Sequence, residues 1–124
     1  MGLWVKRPVL RAGEKVSWRR GANRSQGNRV VGGRIFVTNQ RLIFVPNRLD
    51  SITGGHHWSV LLNEIEDVRL EERDMSLWLS GGLRNRLGVG CRGGDSQLFV
   101  VNHVREVIKL LDSARESGRR KIEI

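Results

Sequence analysis

One cysteine, Cys91, stands in 124 residues. A lone thiol cannot close an intramolecular disulfide, and it cannot build a cysteine metal site without other ligand types or a second chain. Cys91 is expected to serve as a small apolar residue on the core face of a strand. Long apolar runs are missing as well. The longest are about four residues, such as 42–45, whereas a membrane-spanning helix needs about 20, and no secretory leader follows Met1. Histidine occurs only at His56, His57 and His103. Adjacent strand residues point to opposite faces, so the pair does not converge on a metal. No Ser, Cys or His pattern carries a nucleophile signature. These absences lead us to expect no enzyme, no metal and no cofactor, but a soluble, cytoplasmic binding module.

Acid is scarce where base is abundant. Residues 1–48 hold eleven Lys and Arg against Glu14 alone, residues 49–74 hold two cations against seven acids, and residues 75–124 hold nine against five. The net charge of +9, with a pI near 11.3, is therefore concentrated towards the N-terminal part. Such a surface attracts anionic lipid, nucleic acid or an acidic protein. Eighteen of the 22 cations are Arg. Arginine can fork onto phosphate, yet an excess this general also fits a compositional bias and marks no site by itself.

The apolar content, 39% with four tryptophans, is compatible with one folded domain. Its clearest local signal is residues 32–47, GGRIFVTNQRLIFVPN: two runs of β-branched and aromatic residues around Asn39-Gln40, closed by Pro46, predict a β-hairpin. Residues 14–20 alternate, with Val16 and Trp18 on one face, and predict a strand. Residues 21–28 are polar and rich in turn formers, which predicts a loop. Strands are expected over 57–62 and 65–72, around an Asn63-Glu64 turn. A second hairpin is expected over 84–101, with Leu87, Val89 and Cys91 inward, Arg86, Gly88 and Gly90 on the other face, and a turn at 93–95.

The period then changes from 2 to 3.6. Val104, Val107, Ile108, Leu111 and Ala114 make a helical stripe, with Asn102 as the expected N-cap and Gly118 as the expected end. Strands followed by one amphipathic helix imply a mostly β fold: an antiparallel sandwich or partly open barrel of about seven strands, closed by the C-terminal helix. Gly88 to Gly93 satisfies G-x-G-x-x-G literally. A dinucleotide turn requires a helix to follow, and here another strand is expected. The acids Glu64, Glu66, Asp67, Glu71, Glu72 and Asp74 read as a solvated face.

The order of these features resembles the GRAM domain, a branch of the PH-like superfold. The resemblance is carried by the G-x-I-F-V-T-N-x-R-L-I-F-V-P hairpin at 33–46, L-x-E-I-E-D-V at 62–68, the hairpin at 83–102 and V-x-x-V-I-x-L-L at 104–111. It implies a lead-in over 1–13, a GRAM/PH-like domain over 14–117 and a basic tail over 118–124. It also implies a domain that reads membranes or partners. In many PH domains the loop after the first strand holds a phosphoinositide headgroup, so the resemblance nominates Arg19, Arg20, Arg24, Arg29 and Arg34 as anion ligands.

A second candidate is Met75, Leu77, Trp78 and Leu79, ahead of Gly81-Gly82. An apolar loop tip near Arg84 and Arg86 would suit insertion at a membrane interface. The same residues also fit a core strand or a self-association patch. The implied partner is an anionic phospholipid or an acidic protein, with a homodimer as an alternative. A specific nucleic-acid partner is not indicated, since no recognition motif is present and aromatics rarely interleave with the cations.

Overall fold

The computed structural model describes residues 7–26, 29–47, 55–72 and 85–123, with side chains as far as 118. Strand-forming chemistry is densest around residue 40, and there β2 (Arg29–Thr38) and β3 (Arg41–Pro46) make the expected hairpin. Thr38 holds the turn. Its Oγ1 accepts hydrogen bonds from the backbone N–H groups of Gln40 and Arg41, both at 3.0 Å. Ile35, Val37, Leu42 and Phe44 enter the main core, while Phe36, Ile43 and Val45 form a smaller buried cluster on the opposite face. Burial on both faces explains why these runs are continuously apolar.

β1 (Val16–Gln26) corrects the expected loop at 21–28. Gly21 through Gln26 pair in unbroken register with Arg34 through Arg29. On the other side, Ala22, Asn23 and Arg24 pair with β7 (Ser96–Val101). With a ladder on both sides, the backbone hydrogen bonds outweigh the local turn preference of these residues. A bulge between Val16 and Trp18 breaks their expected alignment. Trp18 packs on the core, whereas Val16 is exposed.

The strand order is β4-β3-β2-β1-β7-β6-β5, with β4 at Trp58–Leu61, β5 at Ile65–Glu71 and β6 at Arg86–Cys91. All pairings are antiparallel. β4 and β5 are opposite edges of the sheet, yet only the 3-10 turn Leu62–Glu64 joins them. Three residues reach about 10 Å. The sheet must therefore roll until its edges approach at this corner. Leu62 N–H donates to Gln40 O (3.0 Å) and Arg92 N–H to Glu64 O (2.7 Å), tying the corner to both hairpins. No β4–β5 ladder forms among the described residues, so the roll stays open.

The helix α1 (Val104–Glu123) packs across β5, the 3-10 turn, β6 and β7. Val107 and Leu111 are fully buried, with Val104, Ile108 and Ala114 beside them, as the stripe predicts. The residue ahead of the helix is His103, at φ 53°, rather than the expected Asn102. The helix also runs through Gly118, its expected end. Packing of this turn near Leu62 overrides a weak local stop signal. A Cβ at Gly118 would lie 4.0 Å from Leu62 Cβ, an ordinary contact. Gly118→Ala is therefore expected to stabilise the protein by about 0.5–1 kcal/mol, read as a melting temperature higher by a few degrees.

In the second hairpin, Leu87, Val89 and Cys91 face the core and Gly93 and Gly94 turn with φ of 93° and 95°. The strand β7 follows, which is incompatible with a dinucleotide turn at Gly88 to Gly93. Gly88 and Gly90 instead lie under the side chains of Arg69 and Asp67. Arg69 crosses to Glu71 (2.7 Å), Asp67 (3.1 Å) and Ser96 Oγ (2.6 Å). Burial, with nearby carboxylates, pushes the Cys91 thiol pKa up, as suits a core residue. No described helix is long and apolar enough to cross a membrane.

Candidate anionic-ligand site

The pleat of β1 and β2 decides which nominated arginines meet. Residues paired across an antiparallel ladder share a face. Arg20 lies opposite Ile35, Arg24 opposite Val31 and Arg29 opposite Gln26, all on the core side. Arg19 lies opposite Phe36 and Arg34 opposite Gly21, on the other side. The five therefore divide three and two rather than forming one cluster. Met75, Leu77, Trp78 and Leu79 lie outside the described residues.

Arg20 is committed to Glu106 of α1 at 2.9 Å, a half-exposed pair that ties sheet to helix. Arg24 is in a different situation. Its Nε donates to Gln97 Oε1 at 3.0 Å and its Nη1 to His56 O at 3.4 Å, and its Cζ stands 5.8 Å from the centre of the Trp58 ring. Trp58 packs on Phe99 and Phe99 on Phe44, each with centroids 5.8 Å apart, so the guanidinium terminates an aromatic row rising out of the core. Gln26 joins the rim, its Oε1 accepting from His56 N–H at 3.2 Å. Burial draws the Arg24 pKa below the ordinary arginine value, yet the group stays charged. Among the described residues no carboxylate pairs with it. A desolvated cation held by neutral acceptors and a ring face has unspent capacity for an anion.

An open depression of about 380 Å³ has Arg20, Asn23, Asn47 and Asn102 around Gly21, Gly32 and Gly33. Amides can hydrogen-bond a ligand there, but none of these residues supplies an acid–base pair. No group of three His, Cys, Asp or Glu among the described residues could hold a metal.

Two charged residues take roles that local patterning misses. Arg86, expected on the face opposite the core, is only 3% exposed; its Nη2 donates to Glu72 O at 3.3 Å, and among the described residues its Nε has no hydrogen-bond partner. Glu14 is buried and gripped by Arg41 through Nε–Oε2 at 2.8 Å and Nη2–Oε1 at 2.9 Å. Thr38 Oγ1 donates to Glu14 Oε2 at 2.6 Å and Arg11 N–H to Oε1 at 2.8 Å. These bonds, led by Arg41, hold the carboxyl pKa down at about 2. The one signal available in the sequence is that Glu14 is the sole acid in its first 48 residues.

Comparison with known proteins adds the fold and no activity. No family model matches the chain, and no curated protein matches it. Among solved structures, the chain is similar to the C-terminal domain of an unknown protein from Leishmania infantum, with 19% identity and a TM-score of 0.65 over 84% of this chain and 86% of that one.

Proposed function

We propose that this protein is a non-catalytic module of the GRAM or PH-like type that docks peripherally on anionic membrane lipid from the cytoplasm. The observation that carries this reading is Arg24, whose half-buried charge no described carboxylate balances. A lipid phosphate at this rim would complete its coordination through a charge-assisted bond. The basic excess of the N-terminal part supplies the longer-range attraction, which salt screens. The hairpin motif, seven antiparallel strands and closing helix support the family reading.

The test is co-sedimentation with phosphatidylcholine vesicles containing increasing phosphatidylserine, at two ionic strengths. Binding should rise with anionic lipid and fall with salt, and Arg24→Gln should weaken it about tenfold, the loss expected for one charge-assisted contact. Failure of the wild-type protein to bind any such vesicle removes the reading.

A further inference from the structure

Three large hydrophobic side chains are exposed among the described residues: Val9 at 89%, Leu10 at 42% and Val16 at 39%. All three belong to one short segment ahead of and entering β1. Arg7, Arg11, Lys15 and Arg19 are interleaved with them and exposed. The only acid in that stretch, Glu14, is buried against Arg41. The segment thus presents aliphatic and cationic side chains to solvent with no accessible carboxylate of its own.

It is also held in one shape. Gly13, at φ 74°, makes the turn. Gln40 Nε2 donates to Ala12 O at 3.2 Å and Asn39 Nδ2 to Gly13 O at 3.0 Å. Lys15 N–H donates to Asn39 Oδ1 at 2.9 Å, and Asn39 N–H returns a bond to Lys15 O at 3.1 Å. Arg41 Nη2 reaches Val9 O at 2.7 Å. Arg7, Pro8 and Val9 line an open cleft of about 250 Å³ together with Arg41, Ile43, Trp58 and Ser59 at the edge of the sheet. Ordering entropy for this backbone is already met by the fold, and exposing its apolar side chains to water is a standing cost.

The geometry points to residues 7–16 as an insertion loop for an anionic bilayer, with Val9, Leu10 and Val16 entering the acyl boundary and Arg7, Arg11 and Lys15 meeting lipid phosphates. A bilayer fits because it offers negative charge in a plane and an apolar layer a few ångströms beneath, matching an exposed segment that carries both chemistries. An acidic protein would satisfy the cations and leave the aliphatics without a function. This inference rests on the membrane reading above and locates the contact on a different element from Arg24.

The test uses the full chain and the same phosphatidylserine vesicles, with Val9→Ser/Leu10→Ser and Arg11→Ala/Lys15→Ala as separate double variants. These side chains make no described hydrogen bond, so melting temperatures should match the wild type. Each double variant is expected to lower vesicle partitioning about tenfold or more, each cation near the surface contributing about a fivefold effect. Wild-type binding with both variants unaffected overturns the loop and leaves the membrane reading standing. Loss on Arg11→Ala/Lys15→Ala alone overturns insertion, because charge would then suffice. No wild-type binding overturns both.

Discussion

Glu14→Ala is expected to destabilise the protein by about 3 kcal/mol, the lower end of the cost of breaking a buried ion pair by removing one partner, because Arg41 keeps some exposure to solvent. Arg41 would lose both carboxylate oxygens, and Thr38, which organises the β2–β3 turn, would lose its acceptor. Chemical denaturation of the two proteins would measure the difference; a change below about 1 kcal/mol would show that the pair is not buried in solution. The same carboxylate sets a pH dependence. Its pKa is about 2 when folded against an ordinary value of 4.5, so its contribution is fully present above about pH 4.5 and is lost as pH falls towards 2. The shift corresponds to about 3 kcal/mol. Wild-type stability should therefore slope downward through this window, and Glu14→Gln should lack that part of the slope. Because Arg41 also holds Val9 O, Glu14→Gln should loosen the insertion loop and weaken vesicle binding at neutral pH.

The second large effect is expected at Gly33. A Cβ there would overlap the backbone oxygen of Val45 and lie 2.8 Å from Pro46 Cα. Neither is the free end of a side chain, so β2 and β3 would have to separate at the Gly33–Pro46 pair. Gly33→Ala should cost about 3 kcal/mol, the upper end of overpacking, read as a lower urea midpoint. Gly21 is the control in the adjacent strand, where an added Cβ meets nothing within 4 Å. Gly21→Ala should be neutral or slightly stabilising. Equal behaviour of the two variants would show that the close approach at Gly33 relaxes without cost.

Much of this architecture was legible because it is repetitive. The 87–91 alternation and the 104–114 stripe each report the side of an element that meets the main core, while the continuous 35–37 and 42–45 runs report strands buried on both faces. Readings failed where a residue's state depends on a distant partner. Residues 21–26 look like a loop alone and become strand because β2 and β7 supply hydrogen bonds on both sides. Gly118 looks like a stop, yet the helix continues past it where it meets Leu62.

The candidate site divides in the same way. That the N-terminal part is basic, that Glu14 is alone in it, and that Arg24 belongs to it are properties of composition, fixed before folding. Which arginines share a face was decided by the β1–β2 register, because pleating sends neighbours in opposite directions. Arg24 acquired its desolvated setting from Gln97, 73 positions away, and from Trp58 across the sheet. Glu14 was withdrawn from the surface by Arg41, 27 positions on, and only that withdrawal left the loop over 7–16 purely cationic and aliphatic. Sequence determined the sign of the charge and the period of each element, since both are local. Tertiary structure decided which charges are spent on internal partners and which remain for a ligand, since burial and pairing exist only once distant segments have met.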